Sequence, residues 1–244
     1  MYDYYAAIAA LNQHWRTILP CLIGPVIFSY IYFTTAVRQS LRELVYVESF
    51  FAASFFFWHD LSFVLRYHLW FGGQYSHWWF KGWWFALVGT VLFEAYLIYL
   101  IFRFGQRDLW PNLSKRAFGA LLILGTLAVG SVWFLVKYGL QDDLYFVSFA
   151  VTAVIPAAPF HTGIMVLRKN RAGQSVTRQL CMTGNIIFLT AAFAQVSHFF
   201  LSPVYLAFFV CFVAWPLVNI LLIRKLPPAP LPTPEPAGAA ALPS

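Results

Sequence analysis

Three carboxylic acids, Glu48, Asp60 and Glu94, stand inside stretches of the chain that are otherwise apolar and aromatic. An ionised side chain near the centre of a bilayer costs at least roughly 2.5–3.5 kcal/mol, so each of the three asks for a reason. Asp60 follows the aromatic run SFFAASFFFW at 49–58 and has Trp58 and His59 beside it. A carboxyl desolvated among rings keeps its proton at neutral pH, which makes Asp60 a candidate proton donor. His59 would then set the protonation of Asp60 or take the proton back, and Glu94, in VGTVLFEAYLIY at 88–99, is the second candidate base. Structurally, the same acids would be neutral groups that tie two helices together through a hydrogen bond. Glu48 falls near the start of an apolar stretch, about 5 Å inside its boundary, where an acid snorkels to the interface.

The other polar residues of the apolar stretches sort by depth. An outer group holds His59, Asp60, Gln195 and His198, and an inner group holds Glu94, His161, Asn185 and Asn219. Either group would line a cavity, whereas a single Asn or His in such a place serves helix–helix hydrogen bonding. Counting along helices puts Glu94 roughly 12 Å deeper than Asp60, too far for a shared proton unless a helix tilts or shifts. The chain also holds 26 Phe, 10 Trp and 13 Tyr. Most of these rings face lipid or fill the core, but ring faces around a cavity stabilise a passing cation by roughly 0.5–2 kcal/mol each. Phe57, Trp58 and Trp84 are the candidates for that role. His59 and Asp60 are adjacent and face different sides of a helix, and no HExxH-like pair occurs, so no metal is expected. A phosphate-cradling glycine loop, a GxSxG elbow and a Cys/His nucleophile arrangement are missing too, and no cofactor is implied. Cys21, Cys181 and Cys211 are odd in number and fit small apolar packing positions.

The elements that must position these residues follow from composition. With 61% of 244 residues hydrophobic and 10% charged, no water-soluble packing hides that much apolar surface, and the bilayer is the solvent. Stretches of the roughly 20 residues that span hydrocarbon lie near 18–36, 45–67, 79–103, 117–137, 144–168, 179–200 and 203–224, which predicts an all-α bundle of seven transmembrane helices. Arg38, Arg42, Arg103, Arg107, Lys115, Arg116, Arg168, Lys169, Arg171, Arg178, Arg224 and Lys225 fall on one side of it, and Arg16, Arg66, Lys81 and Lys137 on the other. The richer side is cytoplasmic, so the amino terminus lies outside and the carboxyl terminus inside. Topology in place of nucleic acid then explains the net charge of +7.

Residues 1–17 lack a basic n-region and a cleavage site and form an interfacial segment; 18–226 make the membrane domain; 227–244 are a disordered Pro/Ala-rich cytoplasmic tail. Trp70, Trp78, Trp79, Trp83 and Trp84 suit an outer-interface anchor. AVRQSLREL at 36–44 and LRKNRAGQS at 167–175 share a Gln-Ser loop, with Pro25 upstream of the first and Pro156 and Pro159 upstream of the second. That pattern predicts a 3+1+3 parallel repeat with a site near the midplane between its halves.

Trp58-His59-Asp60-Leu61-Ser62-Phe63, the stretch AGQSVTRQLCMTGN at 172–185 and the Ser202-Pro203 opening of the last span resemble the small seven-helix membrane terpene cyclases of fungal meroterpenoid and indole-diterpene pathways. In that family an acid in a Trp-acid pair on the second helix protonates an epoxide or alkene and starts cyclisation. The resemblance implies cofactor-independent cyclisation of a lipophilic (epoxy)polyprenyl substrate, with Asp60 as the proton donor. The family's second acid, on the last helix, has no counterpart, since Trp215-Pro216 stands in AFFVCFVAWPLVN at 207–219 where an Asp is expected. Glu94 is the residue that would take its place. Phe57, Trp58, Trp84, Glu48, His161, Asn185, Gln195, His198 and Asn219 make up the expected substrate-binding set.

The helix count and Gln-Ser loops also resemble sugar and vitamin transporters built as parallel three-helix repeats. In that alternative Asn185 and Asn219, with Pro156, Pro159 and Pro216, form a midplane substrate site. A third possibility, a non-catalytic scaffold, requires both polar groups to be paired in a tight bundle with no cavity. A retinal protein is excluded, because no Lys precedes Arg224-Lys225 in the last span.

Overall fold

The computed structural model describes residues 3–73, 76–140 and 157–228, and every regular element among them is helical. In order these are α1 (Tyr4–Gln13), α2 (Trp15–Glu43), α3 (Phe50–Val64), a short α4 (Tyr67–Phe71), α5 (Trp78–Phe104), a one-turn α6 (Gln106–Leu109), α7 (Lys115–Leu140), α8 (Ala157–Arg168), α9 (Val176–Phe193), a 3-10 turn (His198–Leu201) and α10 (Pro203–Lys225). Four of them, α2, α5, α7 and α10, are long and apolar enough to cross a membrane, and α3 is a shorter apolar helix. The chain is therefore a helical, multi-pass membrane protein.

Helix limits depart from the expected ones where local caps outweigh hydropathy. Leu44 turns into the left-handed region at φ 55° and ends α2 at Glu43, and the side chain of Ser49 accepts from Ala52 N–H at 3.0 Å to open α3. Val45, Tyr46 and Val47, apolar enough to belong to a span, make the loop between them. The sixth expected span stops at Phe193 and gives way to the 3-10 turn. Of the fifth, 144–156 lie outside the described residues, as does the tail from 229 on. The expected interfacial segment is largely α1, capped by Asp3 and packed on α2 through buried Ala7 and Leu11.

Two helix groups make the bundle: α3 lies against α5 and α7, while α9 lies along α2 and α10, and α10 also meets α8. Contact between α2 and α5 joins them, and Tyr30 Oη donates there to the Ala86 carbonyl at 3.1 Å. The approach depends on Gly89, since a Cβ at that position would collide with Tyr30 Oη. At one end of the bundle the last turns of α2, which carry Gln39 and Ser40 and were expected to be a loop, interlock with the Gln174-Ser175 loop. Gln39 Nε2 donates to the Gln174 carbonyl at 2.8 Å, and Gly173 N–H donates to Glu43 Oε2 at 2.7 Å.

The register of α3 on α5 decides which of their polar side chains can meet. Trp84 Nε1 donates to the Val64 carbonyl at 2.9 Å, so the last residue of α3 is level with Trp84. Because α5 begins at Trp78, it overshoots α3 by about 9 Å at ~1.5 Å per residue.

Candidate functional site

A cavity of about 120 Å³ lies between the two groups, walled by α2, α3, α5 and α9. Its α5 wall is the single helical face Trp83, Leu87, Thr90, Glu94 and Leu97, whose 14-residue reach is about 21 Å. Spread over that length, the volume makes a slot one hydrocarbon chain wide, not a chamber. Six rings line it, Phe28, Tyr30, Tyr32, Phe33, Phe56 and Trp83, and so do three acids, Glu48, Asp60 and Glu94.

Asp60 on the α3 wall and Glu94 on the α5 wall lie closer in level than the 12 Å inferred from sequence. The Thr90 hydroxyl donates to Asp60 Oδ2, so Asp60 is level with Thr90, and Glu94 is one helical turn, about 6 Å, further along α5. The overshoot of α5 is the reason, since counting from helix ends assumes that they are level. His59 and Asp60, expected on different sides of a helix, both line the slot, and His59 Nδ1 and Asp60 Oδ1 share a hydrogen bond at 2.7 Å. The His59 ring is fully buried against Phe55, Phe63 and Trp133. Glu94 differs: it is 3% exposed, no hydrogen bond reaches it among the described residues, and the titratable group it interacts with is Asp60.

Behind His59, Trp133 Nε1 and Lys137 Nζ both donate to Ser62 Oγ at 3.0 Å, and Lys137 Nζ sits 3.9 Å from the Phe63 ring centre. Lys137, expected at the outer end of the span 117–137, is 7% exposed inside the bundle.

Around Glu48 the structure gathers a second polar cluster. Glu48 is buried and does not snorkel: Arg178 and the Tyr32 hydroxyl donate to its Oε1, and His161 Nε2–H donates at 2.7 Å. Gln179 Nε2 donates to His161 Nδ1 at 2.9 Å, which leaves Nε2–H for Glu48. From Gln179 Oε1 the network continues to Asn219 Nδ2 at 3.1 Å, and Thr162 Oγ1 donates to Asn219 Oδ1 at 2.6 Å. Arg178, counted by sequence among loop charges, is fully buried in the first turn of α9. A buried acid in a span asks for a counter-charge, and that was the one available signal for it.

The expected outer and inner groups therefore regroup. Of the outer group, His59 and Asp60 line the slot, whereas Gln195 accepts from Thr17 Oγ1 at 2.5 Å and His198 is exposed on the 3-10 turn. Of the inner group, Glu94 and Asn185 line the slot, Asn185 donating to Ser29 Oγ at 2.8 Å, while His161 and Asn219 belong to the Glu48 cluster. Phe57, Trp58 and Trp84 lie outside it: Trp58 Nε1 donates to the Thr126 carbonyl at 2.7 Å, and Trp84 meets Tyr67 and Phe71 edge to face. Phe56 and Thr90, each four residues before an acid and so on its helical face, hold the places that sequence reasoning missed. Trp70, Trp79 and Trp83 are core residues and not an interface belt.

Among the described residues no three His, Cys, Asp or Glu side chains gather to hold a metal ion. Comparison of the chain with protein families, with curated proteins and with solved structures found no match.

Proposed function

We propose that this chain is a membrane-embedded cyclase of a linear lipophilic isoprenoid, in which a carboxyl of the slot protonates an epoxide or alkene to start ring closure. The observation that carries the reading is the pairing of Asp60 on α3 and Glu94 on α5, on adjoining walls of a ring-lined slot and about one helical turn apart in level. Protonation makes a carbocation, the ring faces lower its energy, and loss of a proton ends an isomerisation that needs no cofactor. A slot one chain wide accepts the substrate extended, so cyclisation requires α2 and α5 to part around the Tyr30–Ala86 contact. In the bilayer the bundle has seven spans, amino terminus outside and carboxyl terminus cytoplasmic. The bias of basic residues supports that orientation, and the two Gln-Ser motifs, which meet at one end of the bundle, support the 3+1+3 repeat. A scaffold fits less well, because the slot lies between the helix groups and Glu94 has no donor among the described residues.

The test is product analysis by chromatography and mass spectrometry after membranes are incubated with plain and epoxidised polyprenyl substrates. The wild type should convert one of them to an isomer of equal mass, and Glu94→Gln and Asp60→Asn should lower that conversion by about 10²-fold or more. A transporter is the second reading, favoured by the position of the slot between two helix groups with the Glu48–Arg178 pair at one of its ends. Substrate accumulation in proteoliposomes without any isomer would replace the cyclase by that reading.

A further inference from the structure

The two acids of the pair have opposite hydrogen-bond surroundings. Asp60 is hydrogen-bonded on both oxygens, Oδ1 to His59 Nδ1 at 2.7 Å and Oδ2 to the Thr90 hydroxyl, which also lies 2.9 Å from the Leu87 carbonyl. Glu94 faces no donor among the described residues, and its Oε2 is buried without a partner. The other titratable groups of the slot, Tyr30, Tyr32, Glu48 and Cys181, add no cation beside it. Donors aimed at a carboxyl favour its ionised form, and two carboxyls in one water-poor cavity do not both ionise. A carboxylate buried with no donor is the costlier of the two to keep.

We propose that Glu94 is the proton donor of this site and that Asp60, held as the carboxylate by His59 and Thr90, is the proton acceptor, the reverse of the assignment that sequence resemblance implied. The chemistry rests on the cyclase reading; the protonation states do not. The Glu94 O–H bond breaks as a C–H bond forms on an alkene, or an O–H bond on an epoxide. The electrons of the substrate's own double bonds close the rings. Asp60 then takes a proton from the carbon next to the final cation, and that C–H pair becomes the product alkene. One proton enters and one leaves. Return of the proton from Asp60 to Glu94 resets the site, and Thr90, bonded to Asp60 and one turn from Glu94, is placed to carry it.

Infrared difference spectroscopy of the purified full chain in nanodiscs, recorded in H₂O and D₂O, tests this without substrate. The C=O stretch of a buried protonated carboxyl should disappear in Glu94→Gln and persist, shifted, in Asp60→Asn. Glu94→Asp, which keeps a carboxyl one methylene shorter, should restore it and guards against a folding defect in Glu94→Gln. Loss of the band in Asp60→Asn alone overturns the assignment, and loss in both variants replaces it by a shared proton. With substrate, Glu94→Gln should give no product, about 10²-fold below wild type or less. Asp60→Asn should still initiate and release alcohols, because water then captures the cation and gives up a proton. Absence of turnover in the wild type, with the band behaving as expected, removes the cyclase reading and leaves Glu94 as the protonated carboxyl.

Discussion

Glu48 and Glu94 are the same residue type, are 4% and 3% exposed, and line the same slot, yet one is surrounded by donors and the other by none. Arg178, Tyr32 and His161 converge on Glu48, and through them it ties α2, α8 and α9 together. Glu94 has no hydrogen-bond donor among the described residues. Burial alone therefore does not tell a structural acid from a reactive one; the number of donors that face it does. Because a compensated ion pair stabilises the bundle mainly against the loss of one partner, stability and reactivity separate between the two acids.

That contrast breaks most severely at Arg178. Arg178→Met should destabilise the protein by about 3–5 kcal/mol, since it strands the Glu48 charge, and the double variant with Glu48→Gln should regain much of the loss. Equal unfolding midpoints for the single and double variants in detergent would mean that Glu48 does not depend on Arg178. Next comes Gly89→Ala, whose Cβ would push Tyr30 off α5 and cost about 1–3 kcal/mol, with a change in accessibility of a cysteine probe placed in the slot.

The same matching of donors to acceptors is tested on a smaller scale by His77, outside the spans. Its Nδ1 accepts from Trp79 N–H at 3.2 Å to cap α5, and partial burial holds the imidazole below its ordinary value. A folded value below the unfolded one, near 6.5, means stability that is present above pH ~6.5 and is lost as pH falls through the folded value. The loss, read from unfolding midpoints across a pH series, should vanish in His77→Asn, which caps the helix without titrating in that range. The smallest expected effect on stability belongs to Glu94→Gln, within about 0.5 kcal/mol of wild type, because no hydrogen bond is removed. A large destabilisation there would place Glu94 in the same class as Glu48.

Much of the helix inventory was legible in hydropathy. The span expected at 79–103 is α5 at Trp78–Phe104, and the one at 203–224 is α10 at Pro203–Lys225. Boundaries set by a cap or a left-handed residue were not, because Val45, Tyr46 and Val47 carry membrane-like side chains into a buried loop. The three acids stood out as costly residues in apolar sequence, but their partners did not. Whether Arg178 points into the bundle depends on Glu48, and whether Asp60 meets Glu94 depends on the overshoot of α5, two facts of tertiary register with no local signature. Ring assignments failed for a simpler reason: Phe57 and Trp58 are near Asp60 in sequence, whereas Phe56 shares its helical face.

The pair Glu48 and Arg178 is separated by 130 residues. At a synthesis rate of roughly 5–20 residues per second, about 7–26 s pass between the emergence of the acid and that of its counter-charge. During that interval α2 and α3 enter the membrane with Glu48 unmatched, so the early chain must keep this carboxyl protonated, hydrated or held by an insertion partner. The contact that closes the finished bundle is thus also a timing constraint on its biogenesis, and slowed translation between the two residues should expose the first half of the chain to quality control.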